Sequence, residues 1–174
     1  MNRFASVLLF VSVGLSFAAC DKKETPTSPT AVPPKFTATL LPSSEVPAVS
    51  NAEGSGSGTA TITFNLTKDS AGTITAATAD FSVTTTGFPN GTTLTGAHIH
   101  PGVAGGTGPV AISLGLTAGE VTFATGGGTF SKNAITMTVD QANSILANPA
   151  GFYFNIHTAS NPGGVARGQL VRTQ

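Results

Sequence analysis

Three histidines, His98, His100 and His157, are the residues of this chain whose type and spacing best suit chemistry. His98 and His100 stand two positions apart, so on a β-strand both side chains leave the same face. His157 falls in a later segment, where Phe152, Phe154 and Ile156 alternate with Tyr153, Asn155 and His157. If the aromatic side of that segment is the core, His157 points away from it. If Ala97 and Ile99 face the core, His98 and His100 point away as well. The same logic puts Leu170 inward and Arg167 and Gln169 outward in the last segment. A polar cluster then forms on one sheet face, provided that these strands are neighbours. Imidazole suits zinc and copper, and three protein nitrogens leave a coordination position open. The same three rings could instead hydrogen-bond loop carbonyls and hold Gly-rich turns together.

Other routes to catalysis are poorly supplied. The domain has no cysteine nucleophile and no Gly-x-Ser-x-Gly elbow. Its carboxylates, Glu45, Glu53, Asp69, Asp80, Glu120 and Asp140, form no acid/base motif and read as turn, surface or cap residues. The Gly-rich runs sit between β segments, without the strand–loop–helix context of a phosphate cradle. Only 9% of residues are charged and the formal net charge is +0, with no clustered basic stripe, which argues against nucleic acid as a partner. Such a low charge density makes Glu45 and Arg167 conspicuous, because a buried ion needs a partner. The two are expected to pair and to tie the first segment of the domain to the last strand.

Alternation of apolar and polar residues places these side chains on strands. Phe36, Ala38 and Leu40 alternate in a first strand that ends before Pro42. Ala60, Ile62, Phe64 and Leu66 alternate in a second, which an Asp69-Ser70-Ala71-Gly72 turn joins to a strand from Thr73 to about Val83. Further strands are expected over Leu94–His100, around Val110, Ile112 and Leu114, over Glu120–Phe123, Ala134–Val139, Phe152–Thr158 and Val165–Val171. One short helix is expected near 140–148, with Asp140 as its cap and Asn148-Pro149 as its stop. The fold class is therefore all-β: an antiparallel β-sandwich or a small Greek-key barrel with one short helix.

The N-terminus reads as an export signal. Arg3 precedes an uncharged stretch from Phe4 to Phe17, too short for a membrane span but suited to a secretory signal. Ala18-Ala19-Cys20 then resembles a lipoprotein cleavage site, with Phe17 departing from the usual aliphatic residue. Cys20 is the only cysteine, so it can form no disulfide within the chain, and acylation of its thiol is the expected use. Residues 1–19 are expected to be the signal peptide and 20–35 the lipidated cysteine with a Thr/Pro-rich tether. Residues 36–174 form the β-domain. The protein is then exported and anchored to the cell envelope, periplasmic or on the outer surface, with the membrane as partner through its N-terminal lipid.

Three separated motifs give a resemblance. Glu45-Val46-Pro47, Ala97-His98-Ile99-His100-Pro101-Gly102, and Phe152 to Thr158 with Asn161-Pro162-Gly163-Gly164-x-x-Arg167-Gly168-Gln169-Leu170 resemble the chordin-type (CHRD) domain. The likeness runs from about Phe36 to Val171. Ala166 departs from it, where Ile or a similar residue more often precedes the arginine. The resemblance implies an extracellular β-domain, as in chordin and in bacterial secreted proteins. The cysteine-rich modules associated with growth-factor binding in chordin have no counterpart here. The His-x-His arrangement is also similar to that of copper–zinc superoxide dismutase, but that two-metal centre needs more than three histidines and an aspartate.

Together these features point to a non-enzymatic, lipid-anchored binding module with a mononuclear copper or zinc site at His98, His100 and His157. A structural or adhesive domain without metal is the second reading. A metalloenzyme using an open coordination position is the third.

Overall fold

Strict alternation over long segments gives this chain its sheets. The computed structural model describes residues 32–174; the expected signal peptide, Cys20 and most of the tether lie outside the described residues. In chain order the strands are β1 (Lys35–Leu40), β2 (Ser57–Lys68), β3 (Ile74–Thr86), β4 (Thr92–Pro101) and β5 (Ile112–Ser113). They continue as β6 (Thr122–Phe123), β7 (Gly128–Met137), β8 (Phe152–Thr158), β9 (Ala166–Gln169) and β10 (Val171–Arg172), with helix α1 (Val139–Ala147) between β7 and β8. One sheet has the order β10-β1-β2-β3-β7; the other runs β5-β4-β8-β9, with β6 beside the start of β4. All pairings are antiparallel. β1 starts at Lys35, the last residue assigned to the tether, and Pro34 accepts a hydrogen bond from the Phe64 amide.

The inward faces meet in one core. Phe36, Ile62, Phe64, Phe81 and Val83 come from the first sheet, and Leu94, Ala97, Ile99, Phe154 and Ile156 from the second. Phe81 and Phe154 stack across the interface with centroids 5.8 Å apart. Apart from Ala97, each such side chain contributes roughly 1.5–3 kcal/mol by leaving water. The two sheets do not close into a barrel, so the sandwich is the correct form. They touch at one corner, where Leu41 exchanges backbone hydrogen bonds with Arg167 at 3.1 and 3.3 Å. Gly168 makes this approach possible: a Cβ there would lie 2.1 Å from the Thr39 carbonyl oxygen. Sequence alternation alone does not reveal that corner, yet it delivers the Pro42–Glu45 turn to Arg167.

The hairpin of β2 and β3 has the expected turn. Asp69 Oδ1 accepts from the amides of Ala71 and Thr73, both at 2.9 Å, and Gly72 takes a positive φ of 85°. The segments expected around Val110–Leu114 and Glu120–Phe123 contribute only two-residue strands, because loop backbone surrounds them on either side. β7 begins earlier than expected, at Gly128, and bulges against β3 between Ala79 and Phe81.

The helix is present but its cap is not Asp140. Thr138 caps it: its hydroxyl accepts from the Gln141 amide at 3.1 Å, and Gln141 Oε1 accepts from the Thr138 amide at 2.7 Å. This capping box satisfies two otherwise orphaned donors, and Asp140 sits in the first turn, where its charge complements the helix dipole. Thr138→Ala is therefore expected to cost about 1 kcal/mol in denaturant unfolding, and Asp140→Ala only roughly 0.3–0.5 kcal/mol. Equal losses would return the cap to Asp140.

Candidate metal centre

β4 and β8 pair directly, and β8 pairs with β9 on its other side. The register sets His98 opposite Asn155 and Asn155 opposite Arg167. One row over, His100 stands opposite Tyr153 and Tyr153 opposite Gln169; Gly96 faces His157. Every second residue of these strands faces the core, so the remaining ones gather on the opposite face.

That face was expected to point outward, and here the structure corrects the reading. His100 is 7% exposed, His157 9%, Asn155 1%, Tyr153 4% and Arg167 2%. Loops cover the sheet face and seal it through backbone carbonyls. His100 Nδ1 bonds Gly108 O at 3.0 Å, and His157 Nδ1 bonds Pro162 O at 3.0 Å. Arg167 donates to Ser44 O through Nε and to Gly106 O through Nη1. Loop coverage comes from segments distant in sequence, so strand alternation cannot report it. Polar alternation says only which residues leave the hydrophobic core.

The three histidines converge. His98 Nδ1 lies 3.0 Å from His157 Nε2, and one nitrogen from each ring falls within 4.8 Å of the others. Donors bound to one ion at ~2.0–2.1 Å stand roughly 3–4 Å apart, so the farthest pair must close by about 1 Å on binding. The ring hydrogens are fixed by what they face. A carbonyl only accepts, so His100 and His157 carry their hydrogen on Nδ1 and leave Nε2 with a bare lone pair. His157 Nε2 points at His98 and Asn155, while His100 Nε2 is buried without a partner. Outer hydrogen bonds of this kind are what orient imidazoles toward a metal.

Electrostatics keep two of the three rings neutral. Burial, then the nearness of His157 and His100, pushes His98 down to about 4. His157 is also lowered, chiefly by burial and further by His100, against the opposing effect of its bond to Pro162. Both rings are therefore uncharged at neutral pH, the form that binds metals.

Gly96 makes room for the most exposed ligand. A Cβ at this position would meet His98 Cε1 at 2.9 Å, so the His98 ring lies across the glycine. A ladder irregularity between Leu94 and Gly96 lets the strand accommodate it. Tyr153 is the other residue the sequence reading left without a role. Its ring stacks on His100 at 4.9 Å and 6°, and the Arg167 guanidinium carbon lies over the same ring, 4.5 Å from its centroid. Its place on the face of His157 was readable from alternation; the stack was not.

Glu45 and Arg167 are brought together beside this cluster. Arg167 Nε lies 3.9 Å from Glu45 Oε2, and both side chains are buried. Burial raises Glu45 to about 7, against the lowering effects of Arg167 and of hydrogen bonds from Asn155 and the Val46 amide. A cleft of about 260 Å³ opens between the Glu45–Asn51 and Ser160–Gly164 loops, and none of the three histidines lines it.

The fold and the cluster define a class: a two-sheet antiparallel sandwich with a group of three imidazoles gathered beneath Gly-rich loops. The chain belongs to the CHRD domain family, whose model matches residues 36–170. No curated protein and no solved structure matches it.

Proposed function

We propose that this CHRD domain is a lipid-anchored binding module of the cell envelope that holds one copper or zinc ion through His98, His100 and His157. Its role is metal capture, or a metal-stabilised surface for a partner, without turnover. The observation that carries this reading is His100 Nε2: a lone pair in a 7% exposed residue, with no hydrogen-bond partner, beside two further imidazoles. Leaving such an atom unsatisfied costs about 1–3 kcal/mol, and a metal ion satisfies it. The neutral state of His98 and His157 supports the same reading, as does the anchoring of two rings through Nδ1.

The anchor rests on sequence: an uncharged N-terminal stretch that ends at the sole cysteine, Cys20. Acylation there would fix the chain to a membrane by its mature N-terminus, on the periplasmic or outer side.

The metal reading is tested by adding zinc, Cu(II) or Cu(I) to the purified full chain and measuring bound metal after desalting. About one equivalent is expected, and none in the His98→Ala/His100→Ala/His157→Ala variant. Binding that survives in the variant, or no binding at all, sinks the proposal. The second reading, a structural or adhesive module, has its own support. The bonds from His100 to Gly108 and from His157 to Pro162 tie down two loops without any metal.

A further inference from the structure

The geometry points to Tyr153 as a positioning residue of the proposed centre: its ring fixes the plane of His100 and so directs Nε2 at the ion. The inference rests on the three-histidine reading above and assigns to it a residue that binds no metal itself.

An imidazole turns about two side-chain torsions, so one hydrogen bond does not hold it. His157 is restrained at both edges. Its Nδ1 faces the Pro162 carbonyl at 3.0 Å, and its Nε2 faces His98 and the Asn155 side chain at 3.0 and 2.9 Å. His100 has the 3.0 Å bond from Nδ1 to Gly108 O, but its Nε2 is buried with no hydrogen-bond partner among the described residues. With that bond alone, the ring could tilt about the Nδ1···O direction and swing Nε2 away from the cluster. Tyr153 removes this freedom. The two ring planes lie 6° from parallel with centroids 4.9 Å apart, an ordinary stacking distance. The residues stand directly opposite each other on β4 and β8, so the strand register builds the stack.

A ring can position its neighbour only if it is held itself. Tyr153 is 4% exposed, and the Arg167 guanidinium carbon lies 4.5 Å from its centroid. Arg167 is in turn fixed by its bonds to Ser44 O and Gly106 O. The Gly102 backbone runs so close that a Cβ there would lie 3.0 Å from Tyr153 Cε1. Gln169, opposite Tyr153 on β9, donates to Gly102 O at 2.9 Å. The row His100, Tyr153, Gln169 therefore packs beneath one loop, which His100 bonds at Gly108 and Gln169 bonds at Gly102.

The stack also suits the occupied site. An imidazole that coordinates an ion shares its positive charge, and the face of a tyrosine ring attracts such charge. Phenylalanine offers the same plane and face, whereas leucine offers neither.

The test measures Zn(II) affinity of the full chain at pH 8 by competition with chelators. Tyr153→Leu is expected to weaken binding about 10-fold, and Tyr153→Phe to stay within about 2-fold of the unaltered chain. In a His100→Ala background the residue being positioned is gone, so Tyr153→Leu should change the remaining affinity by less than about 2-fold. An equal loss in both backgrounds makes Tyr153 a packing residue and overturns the proposal. A loss in Tyr153→Phe as large as in Tyr153→Leu overturns it too. A second measurement needs no variant and decides the matter if Tyr153→Leu does not fold. The His100 ring protons, stacked on Tyr153, should be shifted upfield in NMR spectra and stay so when zinc is added. Their return to ordinary positions with zinc would show the ring leaving the stack to bind, which overturns the proposal. Unchanged affinity in Tyr153→Leu, with loss in His98→Ala, removes Tyr153 from the site and leaves the three-histidine reading standing. Absence of Zn(II) binding in the unaltered chain overturns both readings.

Discussion

Arg167→Lys is expected to destabilise the domain by about 3–5 kcal/mol, as breaking a buried, hydrogen-bonded charge does. For a domain of this size that amounts to a fall in melting temperature of ~10 °C or more. Arg167 is 2% exposed and spends its fork on separate partners: Nε on Ser44 O at 2.5 Å, Nη1 on Gly106 O at 2.9 Å, and its flat face on Tyr153 at 4.5 Å. Lysine has one compact head and no planar fork, so it cannot reproduce these directions together. The loops carrying Ser44 and Gly106 would both loosen. Glu45→Gln is a different experiment, although it removes the partner of the same pair. Burial raises Glu45 from the ordinary 4.5 to about 7, so the folded state holds a proton that the unfolded chain releases. The sign follows: this contribution to stability is present below about pH 4.5 and lost as pH rises through 7. Near pH 5 the glutamine should behave much like the protonated acid, with a change within about 1 kcal/mol. By pH 8 it should gain on the unaltered protein by on the order of 2–3 kcal/mol. Thermal denaturation of both variants across pH 5–8 decides the matter. A large pH-independent loss in Glu45→Gln would mean that the ion pair itself is the source of stability.

The strands and their facing were legible because alternation is a local property. Phe154 and Ile156 packing inward while Tyr153, Asn155 and His157 face the other way follows from a period of two. The closeness of His98, His100 and His157 needed one more condition, that β4 and β8 be neighbours, which the pairing of Gly96 with His157 meets. What covers that face was not legible. The carbonyls of Ser44, Gly106, Gly108 and Pro162 act as backbone atoms, so the side chains at these positions do not announce the bonds they make. Gly96 left a trace of a different kind. Glycine in a strand weakens it and often marks a close approach, and here the approach is the His98 ring. The helix cap shows the opposite failure: Thr138 and Gln141 were readable as a capping pair, but Asp140 is also a capping type and drew the assignment.

A saturating divalent metal should raise the melting temperature substantially, and the rise should survive acidification further than an ordinary histidine site allows. At free zinc a thousandfold above Kd, the stabilisation is about 4 kcal/mol, or ~10 °C here. Its pH dependence is set by the folded state, in which protons compete with the metal for ring nitrogens. An ordinary imidazole begins to lose that competition near pH 6.5. His98 is held down to about 4 by burial and by its histidine neighbours, and His157 is lowered as well, chiefly by burial, so both resist protonation below pH 6.5. The metal-free fold behaves differently, and the sign is again fixed. Unfolded imidazoles accept protons below 6.5 that the buried ones refuse, so these two histidines make the empty domain less stable as pH falls from about 6.5 toward 4. Melting should therefore be followed with and without zinc at pH 7.5, 6.5 and 5.5. The empty protein is expected to lose stability across this series in its Glu45→Gln form, where the opposing titration of Glu45 is absent. The zinc-induced increment should fall less across this series, in both forms, than it would for ordinary imidazoles. An increment that collapses by pH 6.5 would mean that zinc is held by rings protonating as they do in water. The pair of His98 and His157 would then not be its site.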